Sequence, residues 1–129
     1  MSNIALIIAG GVGARMRQDI PKQFINVYDK PVIIYTLEAF QNHPGIDDIY
    51  VVCVEGWEQM LRVYAKQFGI TKLSNIIHGG TNGQDSIRNG VEAIAEKYND
   101  DDIVLIHDAI RPMVSSDIIS DNIRVCSQY

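Results

Sequence analysis

Two cations, Arg15 and Lys22, stand just after a run of small residues, Ala9, Gly10, Gly11, Val12 and Gly13. Arg15 offers a planar, permanently charged fork and Lys22 a mobile point charge. Glycines immediately after a strand let backbone N–H groups approach a phosphate closely and point at it. The combination is suited to a polyphosphate. The dinucleotide fingerprint G-x-G-x-x-G fails here, because Gly11 and Gly13 are followed by Met16 at the third position. The other phosphate loop, G-x-x-x-x-G-K-[ST], does not occur. A glycine pair alone reads as a plain turn between a strand and a helix. The continuation through Arg15 to Pro21-Lys22-Gln23-Phe24 favours the phosphate reading.

Later in the chain, Asp108 follows the apolar residues Ile103, Val104, Leu105 and Ile106, and then His107. A carboxylate at the carboxyl end of a strand, beside a polyphosphate, suits Mg²⁺, which takes one or two protein carboxylates plus phosphate oxygens and water. The alternative is an Asp that caps its own turn. Arg111 either touches phosphate or ties down the loop, and Pro112 beside it favours the structural role. His107 reads as a core histidine that supports the loop. The acidic residues 99–102 read as a solvated loop, and Trp57 as a packing residue at a helix start.

The string A-G-G-x-G-x-R-M followed by P-K-Q-F resembles the signature of CTP-dependent cytidylyltransferases acting on methylerythritol phosphate or ribitol phosphate. Gly79-Gly80-Thr81-Asn82-Gly83-Gln84-Asp85-Ser86 is similar to that family's G-G-x-x-R-x-D-S, and His107-Asp108-Ala109-Ile110-Arg111-Pro112 to its H-D-A-x-R-P. The blocks occur in the family's order and span most of the chain. The resemblance implies nucleotidyl transfer, in which a phosphate oxygen of a polyol phosphate attacks the α-phosphorus of CTP and pyrophosphate leaves. That nucleophile is already an anion, so the work is positioning and charge stabilisation rather than base catalysis.

By the same resemblance, Arg15 and Lys22 stabilise charge on the α-phosphate and Asp108 holds Mg²⁺. Ala9, Gly10, Gly11 and Gly13 form the nucleotide loop, in which Ala9 and Gly10 line the far side of the cytosine. The backbone of Gly80 and the hydroxyl of Ser86 read the cytosine edge. Asp85 serves the same turn by capping the helix that follows. The family's usual Arg in this block is Gly83 here, which removes one contact. The implied fold is a Rossmann-like nucleotide-diphospho-sugar transferase, a mostly parallel sheet with helices on both faces. Members of the family are longer, so residues 1–129 are expected to be one incomplete α/β domain, with the half that holds the acceptor and dimerises missing. The implied setting is a cytoplasmic homodimer. The G-G-V-G-A-R-M form, Trp57 and residues 118–123 resemble the ribitol-phosphate branch slightly more. Two alternatives remain: a non-catalytic nucleotide-binding fragment, and a sugar-phosphate nucleotidyltransferase using another nucleoside triphosphate.

The elements that must carry these residues follow from periodicity. With 129 residues, 47% of them hydrophobic and 21% charged, the composition suits one globular domain with a core. A net charge of −5 argues against nucleic acid or an anionic membrane as partner. The apolar runs are far shorter than a membrane span, and the N-terminal residues do not read as a signal peptide. Cys53 and Cys126 fit no metal or redox spacing and read as free thiols of a reducing compartment. The apolar run 4–8 predicts a buried parallel strand. Pro31 is expected at the first position of a helix striped by Ile33, Thr36, Leu37 and Phe40, which His43-Pro44-Gly45 ends. Residues 49–54 predict a second strand, and Leu61, Tyr64, Ala65 and Phe68 a second helix closed by Gly69. Residues 75–78 predict a third strand, and Ile87, Gly90, Val91, Ile94, Ala95 and Tyr98 a third helix. Residues 103–106 predict a fourth strand, and Ile119, Ile123 and Cys126 a last helix. Strands alternating with helices predict a parallel sheet whose three motif blocks meet beyond the strands' carboxyl ends.

Overall fold

The computed structural model describes residues 2–9, 22–79, 83–98, 101–109 and 119, with Lys22 and Gly83 described through their backbones only. In chain order the elements are β1 (Asn3–Ala9), a 3-10 turn (Lys22–Phe24), β2 (Asn26–Val27), β3 (Lys30–Pro31) and α1 (Val32–Gln41). Then come β4 (Asp48–Cys53), α2 (Glu58–Gln67), β5 (Leu73–His78), α3 (Gly83–Ala95) and β6 (Ile103–Asp108). The last expected helix lies outside the described residues, apart from Ile119, which is helical and buried.

Four strands form one sheet in the order β5-β4-β1-β6, and every pairing in it is parallel. The central strands are apolar without alternation because both of their faces are covered. On one face Ala5, Ile7 and Ala9 of β1 and Ile49, Val51 and Cys53 of β4 pack with Ile33, Leu37 and Phe40 of α1 and Leu61 of α2. On the other, Ile4, Leu6, Tyr50 and Val52 pack with Ile94 near the end of α3. Each such Ile or Leu contributes about 1.5–3 kcal/mol of transfer free energy. The expectation of helices on both faces is met.

The strand order has a consequence for function. From β1 the chain steps outward to β4 and then to β5; after α3 it returns to the opposite side of β1 to lay down β6. The direction of winding therefore reverses between β1 and β6. Ligands of open α/β sheets bind beyond the carboxyl ends of the strands at such a reversal.

Several local expectations are corrected. Pro31 is the N-cap of α1, at φ −60° and ψ 145°, and ends β3 rather than opening the helix. Its lack of an N–H is tolerated in this two-stranded hairpin. That hairpin, β2–β3, has no counterpart in the sequence reading. Its turn residues Tyr28 and Asp29 adopt φ 52° and 72°, the left-handed pair a two-residue hairpin turn requires, without the Gly or Asn that normally announces it. β5 begins at Leu73, two residues earlier than expected, and β6 runs to Asp108, two residues later. Val91 is 40% exposed and leaves the buried stripe of α3. Tyr98 lies past the end of α3, and its hydroxyl donates to Asp48 Oδ2 at 2.5 Å. The second helix is as expected, with Gly69 at φ 74° past its end.

Candidate nucleotide site

The carboxyl ends of the strands are aligned by register. Ile8 pairs with Asp108 across β1 and β6, Ala9 with Cys53 across β1 and β4, and Cys53 with His78 across β4 and β5. These residues mark where all three motif blocks leave the sheet. Asp108 is the last residue of β6, not a loop residue beyond it, and it is exposed. It therefore stands beside Ile8, one residue before Ala9 and the glycine run, at the reversal point of the sheet. The expected convergence of the blocks on one rim holds for the described residues.

The rim is held by hydrogen bonds that the motif strings do not announce. The carbonyl of Ala9 accepts from the Val54 N–H at 3.1 Å and from Gln23 Nε2. The Ala109 N–H donates to the Ile8 carbonyl at 3.0 Å, and the Gly79 N–H to the Cys53 carbonyl at 3.1 Å. Thr36 Oγ1 donates to the Ala109 carbonyl at 2.8 Å. Gln23, Thr36 and Ala109 are buried, so these are bonds whose loss leaves a polar group unsatisfied.

Among the sequence-selected residues, Arg15, Gly10, Gly11, Gly13 and Gly80 lie outside the described residues, as does Arg111. Lys22 begins the 3-10 turn. Its neighbours are anchored, Gln23 on Ala9 and Phe24 in the core, where its ring stacks on Trp57 with centroids 4.9 Å apart. Trp57 is thus a packing residue, as expected. Asp85 and Ser86 fall within the first turn of α3, inside the helix rather than in the preceding loop, and Ser86 is buried. Gly83, where the resemblance expects Arg, is the first residue of α3. The His107 ring packs edge-on against Phe40 at 5.4 Å, consistent with a supporting role.

Two groups near the rim carry chemistry of their own. His78 Nδ1 lies 2.8 Å from Glu58 Oε2, while Glu58 Oε1 accepts from the Gly56 N–H at 2.9 Å. The His78 carbonyl accepts from Asn89 Nδ2 of α3 at 3.2 Å, which ties the end of β5 to the helix behind the second motif block. Burial, reinforced by the Glu58 carboxylate, pushes the Cys53 thiol up to about 12, so it is no nucleophile near neutral pH. Gln23 and Thr36 were not singled out as site residues. A lone buried-stripe Thr and the Gln of a conspicuous string were the available signals.

Could the described residues hold Mg²⁺? They contain no cluster of three or more His, Cys, Asp or Glu side chains able to hold a metal. A single exposed carboxylate at the rim is nevertheless what Mg²⁺ uses when phosphate oxygens and water complete its shell. The donor set at Asp108 therefore fits a nucleotide-borne magnesium and does not fit a protein-enclosed one. Among the described residues no helix is long and apolar enough to cross a membrane.

Known proteins resemble this chain in sequence and in fold. The family model described as 2-C-methyl-D-erythritol 4-phosphate cytidylyltransferase (IspD) matches residues 3–129. A ribitol-5-phosphate cytidylyltransferase of Lacticaseibacillus paracasei is 50% identical over 125 residues, covering 97% of this chain and 53% of the relative. A 2-C-methyl-D-erythritol 4-phosphate cytidylyltransferase of Clostridium botulinum is 42% identical over 127 residues, covering 98% and 54%. The solved 2-C-methyl-D-erythritol 4-phosphate cytidylyltransferase of Francisella tularensis superposes with a TM-score of 0.76 at 29% identity, over 100% of this chain and 54% of that one. The chain spans about half the length of the curated relatives it matches.

Proposed function

The chain belongs to the 2-C-methyl-D-erythritol 4-phosphate cytidylyltransferase (IspD) family, and on that premise we propose that it transfers a cytidylyl group from CTP to a polyol phosphate. The acceptor oxygen bonds to the α-phosphorus as the bond to the departing pyrophosphate breaks. Ribitol 5-phosphate is the preferred acceptor in this reading. Support comes from the relatives of that name, which reach 50% and 48% identity against 42% for those named for methylerythritol phosphate.

The observation that carries the proposal is the Ile8–Asp108 register at the sheet's reversal point. It sets a carboxylate beside the start of the glycine run, where a triphosphate would meet both. Gly11 and Gly13 would bring N–H donors to the triphosphate, and Ala9 and Gly10 would line one side of the cytosine. Gly80 and Ser86 would meet the cytosine, and Asp85 would favour the free N–H groups at the start of α3. Arg15 and Lys22 would oppose the charge that grows on the α-phosphate as it becomes five-coordinate, the largest contribution a site without a base can make. Asp108 would hold Mg²⁺, which when bound neutralises phosphate charge and fixes the orientation of the triphosphate. The cytoplasmic, homodimeric setting rests on the family likeness alone.

Calorimetry with CTP, UTP and ATP in Mg²⁺ tests the nucleotide. Pyrophosphate release by the intact gene product with ribitol 5-phosphate and methylerythritol 4-phosphate tests the acceptor. Preference for CTP together with turnover of either acceptor is the expected result. Equal affinity for the three nucleotides would point instead to a nucleotidyltransferase of broader type. CTP binding without turnover would point to a non-catalytic nucleotide-binding module.

A further inference from the structure

One helix grips the residues on both sides of Asp108. Thr36 of α1 donates its hydroxyl to the carbonyl of Ala109 at 2.8 Å, and both residues are wholly buried. One helical turn further on, Phe40 meets the ring of His107 at 5.4 Å. The Ala109 N–H is already committed to the Ile8 carbonyl at 3.0 Å. Side chains alternate along a strand, so with 107 and 109 turned toward α1, Asp108 is left on the opposite face of the sheet. Both polar backbone groups of Ala109 are thus fixed, one by the neighbouring strand and one by the helix.

A hydroxyl is a costly choice at this position. Thr36 lies in a stripe otherwise made of Ile33, Ile34, Leu37 and Phe40, all buried. Val would match its shape, and Thr has low helix propensity. A helical Thr usually bonds back to its own preceding turn; this one reaches across 73 residues of sequence to the turn that begins after Asp108. We propose that Thr36 is a positioning residue: through the Ala109 carbonyl it holds the backbone at the end of β6 so that the Asp108 carboxylate is presented to the magnesium of the bound nucleotide. The inference rests on reading Asp108 as the magnesium-holding carboxylate, and it assigns that carboxylate's orientation to a hydroxyl on a different element.

Two variants separate this role from simple packing. Thr36→Val keeps the shape and removes the donor; Thr36→Ser keeps the donor and removes a methyl. Mn²⁺ stands in for Mg²⁺, and its affinity for the CTP complex is read by electron paramagnetic resonance well below each variant's Tm. Thr36→Val is expected to weaken Mn²⁺ binding about tenfold, the scale of one lost buried hydrogen bond. Thr36→Ser should stay within about twofold of the parent. CTP affinity measured in chelator should be the same in all three proteins, although both variants lower Tm. Should Thr36→Val not fold, Thr36→Ala removes the same donor and is read in the same way. Equal Mn²⁺ affinity in the Val and Ser variants, or losses that track Tm alone, would overturn the proposal. A parent protein that binds CTP but no Mn²⁺ with it would remove the reading of Asp108, and this inference with it.

Discussion

The side-chain amide of Gln23 donates a hydrogen bond to the carbonyl of Ala9, so the residues bounding segment 10–22 are fastened to each other at the carboxyl end of β1. Lys22 is therefore flanked by a buried amide on its C-terminal side, and Phe24 beyond it is locked against Trp57. In the string Pro21-Lys22-Gln23-Phe24, the cation is the candidate for chemistry, and the two residues after it are its mounting.

Gln23→Ala should weaken CTP binding several-fold. Ala9 keeps the Val54 N–H as a partner, so the loss is one of two bonds and about 1 kcal/mol. Calorimetry against the parent protein checks this, and an unchanged CTP affinity would mean that the amide serves stability alone.

Lys22→Ala and Asp108→Asn should each cut turnover of the intact gene product at least about a hundredfold. Chelating the divalent cation should do the same to the parent. Asp108 is exposed, so circular dichroism and Tm of its variant should stay near the parent's. Near-normal pyrophosphate release from either variant would remove that residue from the mechanism.

Alkaline conditions should destabilise the fold through Cys53. Its thiol titrates near the usual 9.0 when unfolded and at about 12 when folded. The unfolded chain therefore loses this proton first as pH rises. Below pH 9 the contribution is fully present; it then falls by about 1.4 kcal/mol per unit toward 12. Tyr98, raised by burial and by its bond to Asp48, pulls the same way at still higher pH. Urea melts from pH 8 to 11 should show the decline, and Cys53→Val should flatten it. In a Cys126→Ser background at pH 8, the folded protein should resist alkylation at Cys53.

Gly90→Ala sets helix propensity against packing. Alanine gains about 1 kcal/mol in a helix. A Cβ at position 90 would lie 2.6 and 2.8 Å from the two Leu6 methyls and 3.0 Å from Val52 Cγ2, and both neighbours are fully buried. Overpacking of this kind costs about 1–3 kcal/mol. A net loss is expected for Ala and a larger one for Val, read from the urea midpoint. A midpoint that rises for Ala would mean that α3 shifts away from the sheet at little cost.

Tyr28→Asn combined with Asp29→Gly should raise stability by about 1 kcal/mol, because each native residue sits in the left-handed region at φ 52° and 72°. Tyr28 is 91% exposed, so little packing is lost. A lower Tm for the double variant would show that the ring has a hidden partner.

The sheet and its helices were legible because unbroken apolar runs such as 4–8 and 49–53 have few alternatives to a strand covered on both faces. The convergence of the motif blocks followed from the same pattern, since parallel strands send all their following loops to one edge. Other features depend on side chains meeting across long stretches of sequence, which periodicity does not encode. Thr36 looked like one more member of a helical stripe, and nothing near it names Ala109 as its acceptor. The β2–β3 hairpin escaped because Tyr28-Asp29 carries no turn signature. Val91 matched the spacing of the α3 stripe but lies at its margin, whereas Ser86, which the apolar pattern skips, is buried.

The partnership of β1 with β6 joins residues 100 positions apart, beginning with Asn3 opposite Ile103. During synthesis β1 and β4 can zip together early, but the far side of β1 stays bare until the codons for residues 103–108 have been read. The pairing at the end of β6 would thus be the last feature of the sheet to take shape on the ribosome. Contacts of such long range slow folding. A nascent chain paused before β6 would display an open hydrophobic strand, which is the stage at which chaperone capture should peak.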